Sequence, residues 1–410
     1  MTAVSDNSLG LYFSIPFCRS KCTYCNFASG VYPGSEHGRY VARVTEDLRS
    51  ADEWAASMQV ELPRKVDTIY FGGGTPSLLS AAHIAQLFAA IHERFEVAPD
   101  AEITVECAPA QLADETLAAM VEAGVNRVSL GVQSFIDREA HLSGRLHNCV
   151  QVLEDLRRLR EAGIANLNLD LLAGLTEQTA DSWRESVSVL LETGVPHASV
   201  YMLEIDEESR LGRELIAGGA RYGAGLVPSD DAIARMYEEA VAALEDAGLH
   251  QYEISNFGRE DLQSRHNLRY WQRRPYLGVG LDASSMLRSV DGDAVLRTTA
   301  TDDLTSYLNG DSSQETAWLG PTQQLEEAWF LGLRRNAGIN VAALRREFGA
   351  KAVKPSIAVA NRLAEDGLLT VDRGVVRLTE RGRLISNDVF AEFLGLTPTR
   401  EMRGAPALAS

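Results

Sequence analysis

Six short apolar runs, each followed by a stretch of helical periodicity, limit what this chain can fold into more than any other feature. They are "LGLYFSIPF" (9–17), "VDTIYFGGG" (66–74), "EITVEC" (102–107), "RVSLGVQ" (127–133), "NLNLDLLAGL" (166–175) and "HASVYMLEI" (197–205). Each is rich in Val, Ile, Leu and aromatic residues and nearly continuous in apolarity, as parallel strands covered on both faces are. Between them lie helical patterns such as "SAAHIAQLFAAIHERF" and "DETLAAMVEAGV", the second opening on an Asp cap and closing at Gly124. Repeated alternation of this kind predicts an α/β fold with a parallel sheet. Six units leave two arrangements open, a partial barrel or an open doubly wound sheet.

In such barrels, groups that carry chemistry gather where strands run into loops at their C-terminal ends. Here those ends carry a cysteine loop, the run Gly72-Gly73-Gly74-Thr75, Glu106, Gln133, Asp170 and Glu204. Any one of them could be a satisfied structural polar group. Six in register against apolar strands predict a single polar mouth.

The cysteine loop, "FCRSKCTYCNF" (17–27), spaces Cys18, Cys22 and Cys25 as Cys-x3-Cys-x2-Cys, while Cys107 and Cys149 stand alone. That is no disulfide framework, and in a reducing compartment it reads as a metal site. Structural zinc wants four ligands in a closed tetrahedron. No second Cys/His pair follows at finger spacing, and His37, the nearest histidine, lies in a Gly/Pro-rich stretch without ligand-like context. Three thiolates can instead hold a four-iron cluster with one iron exposed. Such an iron can take the amino and carboxylate groups of an amino acid.

Composition sets the surroundings of that site. The chain has 39 Lys and Arg against 57 Asp and Glu, a formal net charge of −18, and no long basic block. A protein that grips phosphates needs a basic face, so nucleic acid is not expected as a partner. The simplest consequence of the charge is solubility. No run of about 18 apolar residues marks a transmembrane helix, and "MTAVSDNSLG" lacks the basic and apolar regions of a signal peptide. The expected location is the cytoplasm.

After about residue 225 the alternation lapses. The segment 252–286 is dense in aromatics, His and Arg, and 287–320 reads as loop, with "DGD" and "NGDSS". From 322 helices resume, followed by a helix ending "EDGLL", a hairpin turning at "DRG" and a closing helix, which is a winged-helix pattern. The expected division is a core over 1–225, an extension over 226–320 and a winged-helix-like domain over 321–400.

The cysteine spacing, with Tyr24 immediately before the third cysteine and "GGGTPS" (72–77) at the next strand end, resembles the radical-SAM superfamily. That resemblance implies a partial (β/α)6 barrel, a [4Fe-4S] cluster on Cys18, Cys22 and Cys25, and S-adenosylmethionine in the open position. Glycines suit the second motif because backbone can approach a ligand with no side chain between. "LYFSIPFC", "VEC", "SLGVQSF", "GRLH", "NLDLLAGL", "YEISNF" and the terminal winged helix extend the likeness to the anaerobic coproporphyrinogen-III oxidase family and its haem-chaperone branch. Carried over position by position, the cofactor contacts implied are Tyr12, Tyr24, Gly73, Gly74, Thr75, Glu106, Gln133, Arg145 and Asp170.

Several features separate the branches. The oxidases carry a further cysteine two positions after the third, where this chain has Phe27. They also carry a histidine two residues after the first-strand tyrosine, where Ser14 follows Tyr12, and a long N-terminal arm, whereas this motif begins at residue 18. "HNLRYW" (266–271) resembles the His-Asn-x-x-Tyr-Trp signature of the haem chaperones. It implies His266 as an axial haem ligand, with Tyr270 and Trp271 supplying apolar surface. Two departures stand beside these matches: "GLTEQT" (174–179) lacks the usual Gly-Leu-Pro, and Ser284 replaces a common histidine. The expected function is a carrier that binds haem and delivers it to an acceptor protein, with transient contact at membrane-bound acceptors left open. The alternative is an oxygen-independent coproporphyrinogen-III oxidase or a related radical methylase.

Overall fold

The computed structural model describes residues 8–310 and 314–396. Most of the polar N-terminal stretch and the end of the 321–400 segment lie outside the described residues.

Strands β1 (Leu9–Ile15), β2 (Lys65–Gly73), β3 (Glu96–Cys107), β4 (Arg127–Gln133), β5 (Asn166–Ala173) and β6 (His197–Met202) pair in parallel, each with the next in chain order. A doubly wound sheet would reverse its order at a switch point. This one never does, and a helix follows each strand, so the six units form the partial barrel.

The strands are not apolar on both faces, which corrects the reading of them as nearly continuous. Side chains alternate along a strand with period two, and here one face of each is apolar and the other polar. Leu11, Phe13, Ile69, Phe71, Val128, Leu130, Leu169 and Val200 point outward and are buried. Connecting helices cover them; the Phe71 ring, for example, lies 5.4 Å from Phe88 of the helix Ala81–Arg94. The inward positions are Tyr12, Thr68, Tyr70, Glu102, Thr104, Glu106, Arg127, Ser129, Asn168, Asp170, His197 and Ser199. The inside of this barrel is polar.

Later segments enlarge the same sheet at both ends. Strands β7 (His250–Gln251) and β8 (Asn256–Gly258) add beyond β6, with β8 antiparallel to it. Strand β9 (Tyr276–Gly280) lies parallel to β1, and β10 (Ser284–Arg288), β11 (Val295–Ala300) and β12 (Gln314–Leu319) continue outward. The stretch 287–320, expected as loop, therefore holds the end of β10, the whole of β11 and β12, and the short helix Leu304–Leu308. Its strands carry Arg, Thr and Gln at alternate positions, which lowers their apolarity below what sequence patterning detects.

Between β8 and β9 the helix Arg265–Trp271 turns its His266 and Arg269 into the barrel. Thr68 meets both, at 2.9 Å from His266 Nδ1 and 3.2 Å from Arg269 Nε. Arg269 also pairs with Asp67 and donates to the carbonyls of Ser8 and Pro275.

Tertiary contacts divide the described residues into two compact units. One comprises residues through 270 with 274–290 and 296–317; the other comprises 271–273, 291–295 and residues from 318. The second contains helices Pro321–Leu333, Val341–Phe348 and Ala350–Glu365, with β13 (Ile339–Asn340), β14 (Leu369–Asp372) and β15 (Val375–Leu378) in one antiparallel sheet. That is the winged-helix pattern. Its hairpin turns at Arg373 and Gly374, both at positive φ, as a tight two-residue turn requires. No helix among the described residues is long and apolar enough to cross a membrane.

Candidate cofactor site at the strand ends

The cysteine loop leaves β1 and is held by four separate segments. Cys18 N donates to Gly30 O at 2.9 Å, and Thr75 N donates to Phe17 O at 2.8 Å. Thr23 N donates to Ser143 O at 2.9 Å, and Leu211 N donates to Thr23 O at 2.8 Å. The loop is thus fixed by backbone bonds, leaving Cys18, Cys22 and Cys25 as partly exposed free thiols.

The glycine run presses on this loop. Gly74 N donates to Ile15 O at 2.8 Å. A Cβ on Gly74 would stand 2.8 Å from Phe17 O and 3.0 Å from Cys18 Sγ, so a side chain there would displace the thiol. Thr75 Oγ1 lies 3.9 Å from that sulfur. A Cβ on Gly144, which has φ +92°, would meet the Cys22 Cα at 3.1 Å. Among the described residues no three His, Cys, Asp or Glu side chains converge closely enough for a single metal ion. A four-iron cluster holds its thiolates on different irons, further apart, and the three-thiol loop suits it.

The expected contacts gather around this loop. Arg145 donates to the Tyr24 hydroxyl at 3.0 Å, and its Nε is buried without a hydrogen-bond partner. A Cβ on Gly131 would stand 3.1 Å from Arg145 and 3.3 Å from the Gln133 amide, and Gly131 pairs with Asp170 across the sheet. Arg145, Gln133 and Asp170 therefore meet over one glycine. Gln133 adopts a left-handed φ of 71° at the end of β4, which turns its backbone out of the strand.

Glu106 lies against Gly72 and accepts a hydrogen bond from the Tyr70 hydroxyl at 2.8 Å. Burial pushes its carboxyl up to about 7, opposed by that bond and reinforced by Asp170. Burial also raises Asp170, which accepts from Asn168 at 2.7 Å. Tyr12 faces the same space, its ring 6.2 Å from Tyr70. Glu204, by contrast, is exposed in the loop past β6. The geometry brings together all the expected contacts except this last residue.

His266 lies deeper and is enclosed. It has no exposed surface, its Nδ1 is 2.9 Å from Thr68 Oγ1, and its Nε2 is 2.8 Å from the Tyr270 hydroxyl. Its backbone N–H donates to Glu102, and its ring stacks on Tyr70 at 5.2 Å. Burial, with Arg127 nearby, lowers its pKa to about 3, so the ring is neutral. Both nitrogens are engaged and neither faces an opening. In this fold the ring is part of the barrel floor, held between Thr68 and Tyr270.

Sequence reasoning missed the residues beneath the mouth. His197 sits between Asn168 Oδ1, at 2.6 Å, and the Tyr252 hydroxyl, at 2.8 Å. Ser199 donates to Asn256 at 2.9 Å, and Arg127 lies 3.5 Å from His197. The signal was present: "NLNLDLL" and "EITVEC" alternate strictly, with polar residues at every second place.

Comparison with known proteins agrees with this geometry. Residues 12–190 match the Radical SAM superfamily, and residues 319–385 match the HemN C-terminal domain. The chain is 34% identical over 386 residues to the heme chaperone HemW of Lactococcus lactis, covering 93% of this chain and 96% of that protein. It is 33% identical over 390 residues to the heme chaperone HemW of Bacillus subtilis, covering 94% and 98%. In fold it is similar to the solved structure of Escherichia coli coproporphyrinogen III oxidase (HemN), with a TM-score of 0.79 at 23% identity over 94% of this chain and 90% of that one. With a third of its residues shared along nearly the whole length of these relatives, the chain belongs to the HemW family of radical SAM proteins.

Proposed function

We propose that this chain binds haem and passes it to an acceptor protein in the cytoplasm, using a radical-SAM barrel as its body. In this reading Cys18, Cys22 and Cys25 hold a [4Fe-4S] cluster. Tyr12, Tyr24, Gly73, Gly74, Thr75, Glu106, Gln133, Arg145 and Asp170 line the S-adenosylmethionine pocket.

The observation that carries the cofactor part is the close fit of Gly74 against Cys18. Two motifs from different strand ends are joined by backbone hydrogen bonds, and only a glycine leaves the thiol in place. A cluster bound there supplies single electrons. The chain's own residues do the rest. Arg145 offers a buried, unpaired N–H that suits a carboxylate, and Asp170 and Glu106 offer acceptors to an ammonium or a ribose hydroxyl. The carrier part draws on the relatives, named heme chaperones, and on Ser14 in place of the oxidase histidine. Serine has no group that titrates near neutral pH and could not do a histidine's acid–base work.

One anaerobic experiment tests the reading. Reconstituted wild type and the single Ala variants of all five cysteines are compared for iron content and visible spectrum. S-adenosylmethionine binding is then measured for wild type and Asp170→Ala. Haem and coproporphyrinogen are supplied side by side. Cluster loss confined to Cys18, Cys22 and Cys25, weaker cofactor binding in Asp170→Ala, and haem uptake without porphyrinogen turnover are expected. Formation of protoporphyrinogen at enzyme rates would overturn the carrier reading in favour of the oxidase.

A further inference from the structure

A second concave site lies outside the barrel. Strand β9 pairs with β1 so that Leu277 and Val279 stand beside Leu11 and Phe13, on the outward face of the sheet. The helices Ser35–Arg49 and Ala51–Ser57 cover this part of the face without filling it. A cavity of about 320 Å³ remains, lined by Arg43, Asp47 and Trp54 of those helices, by Leu277 and Val279, and by Ala300 and Tyr307. All of these residues belong to the first compact unit. Small-molecule sites run from roughly 300 to 1,000 Å³, so this one suits a small ligand.

Donors outnumber acceptors among these side chains. Arg43 Nη2 meets Asp47 Oδ1 at 2.8 Å, and Asp47 also accepts from the Tyr307 hydroxyl. That carboxylate is already occupied. Arg43 Nε is buried without a hydrogen-bond partner, and neither Arg43 Nη1 nor the Trp54 indole N–H has one among the described residues. Such orphaned donors are rare and call for an acceptor.

The wall is built into the core. The Arg43 guanidinium lies 5.6 Å from the centre of the Tyr307 ring, and that ring lies 5.3 Å from Tyr40. The Tyr40 hydroxyl in turn donates to Ser14 O at 2.5 Å and accepts from Leu281 N at 2.8 Å. Tyr40 and Tyr307 are both buried.

Water in the cavity would serve the donors but gains nothing from Leu277, Val279 and Trp54. A molecule with a flat apolar body and acceptor oxygens at one end uses both. A carboxylate is the acceptor that suits a guanidinium best, through short charge-assisted bonds. A dianion would meet the Asp47 carboxylate beside the same guanidinium, and a cation would meet Arg43 itself. We propose that this cavity binds a small aromatic monocarboxylate, its carboxylate on Arg43 and its ring against Leu277, Val279 and Trp54. The site is separate from the expected cofactor pocket and does not rest on the haem reading.

The test uses the full-length protein and phenylacetate as probe, with phenethylamine presenting the same ring on the opposite charge. Wild type, Arg43→Gln and Ala300→Phe are titrated by calorimetry, and thermal melts check that each variant folds. Arg43→Gln removes the charge, and Ala300→Phe fills the cavity from the β11 side. Wild type should bind phenylacetate with a Kd of about 1 mM or tighter, and phenethylamine at least about tenfold more weakly. Arg43→Gln should weaken phenylacetate binding at least about tenfold, and Ala300→Phe should abolish it. Should Ala300→Phe not fold, Arg43→Gln and the two probes decide the matter alone. Equal affinity for the two probes, an unchanged Kd in Arg43→Gln, or no binding of phenylacetate to wild type would each overturn the assignment.

Discussion

Replacing Glu106 by Gln should stabilise the protein, and more so as the pH rises. Tyr70, the Gly73 N–H and Arg127 favour the charged carboxylate, whereas burial and Asp170 oppose it; Tyr12, Tyr201 and Tyr270 also face it without carrying charge near neutrality. Burial wins, and the carboxyl titrates near about 7 instead of its ordinary 4.5. Between those values the folded state keeps a proton that the unfolded state has released. Stability from this group is therefore fully present below 4.5 and is lost as the pH rises through 7. At about 1.36 kcal/mol per pH unit the whole loss is about 3 kcal/mol, of which about 2 kcal/mol falls between pH 5.5 and 8.5. Glutamine is nearly the same shape, cannot ionise, and can still accept the Tyr70 hydrogen bond through its amide oxygen. Urea midpoints of wild type and Glu106→Gln, taken at both pH values, measure the gap directly. The variant should gain about 2 kcal/mol on wild type over that interval. A gap that changes by less than about 0.5 kcal/mol would show that Glu106 is ionised throughout, and the reasoning from burial would fail. A carboxylate held at such a cost, at the edge of the expected cofactor pocket, is the pattern of a group kept for a ligand.

Two further outcomes follow from contacts already described. Gly74→Ala should lower cluster content after reconstitution while leaving the far-ultraviolet circular dichroism unchanged, because the added methyl would collide with Phe17 O, Ile15 O and Cys18 Sγ, all at the end of β1 where the cysteine loop begins; normal iron content would refute it. Asp67→Asn should destabilise by about 3–5 kcal/mol in urea, since it removes the anion from the fully buried Arg269 and from Arg274, which donates to Asp67 at 2.8 Å; a loss under about 1 kcal/mol would mean the ion pair is not what anchors the helix.

The elements and the mouth were legible because both are written in short-range pattern. Six strand–helix units, the Cys-x3-Cys-x2-Cys spacing and the glycine run at the next strand end all announce themselves within ten residues or so, and each lies where the pattern put it. The interior was read wrongly for a different reason. Judged by mean apolarity, "HASVYM" and "NLNLDLLA" look continuous, yet His197, Ser199, Asn168 and Asp170 all face inward and bond to one another. Only the period-two phase shows that, and phase across six strands is a tertiary property. The 287–320 stretch was lost because Arg and Thr interrupt the short strand β11, and β12, at the edge of the sheet, needs few apolar residues. The surroundings of His266 were not legible because a motif names residue types and not the space around them: its partners, Thr68 and Glu102, lie more than 160 positions away in the chain. The turn at 174–179 does without its proline because the Gln178 side chain accepts from Gly174 N at 2.6 Å and closes the loop.

The enclosed helix 265–271 also sets an order of events during synthesis. His266 is 198 residues from Thr68, Arg269 is 261 residues from Ser8, and β1 finds its second neighbour only when β9 has been made. At about 5–20 residues per second, the ribosome needs on the order of ten to forty seconds to travel from β2 to this helix. Only over the last part of that interval, once β6 has ended at Met202, can the six strands stand together. Until residues 252–266 emerge, His197 lacks Tyr252 and Glu102 lacks the backbone N–H groups of Arg265 and His266, so water must fill that side of the channel. Arrival of the helix expels that water and locks the two ends of the chain's first two-thirds together. A fragment ending near residue 225 would contain every cluster ligand and every expected cofactor contact, yet would be left as a wet, loosened barrel.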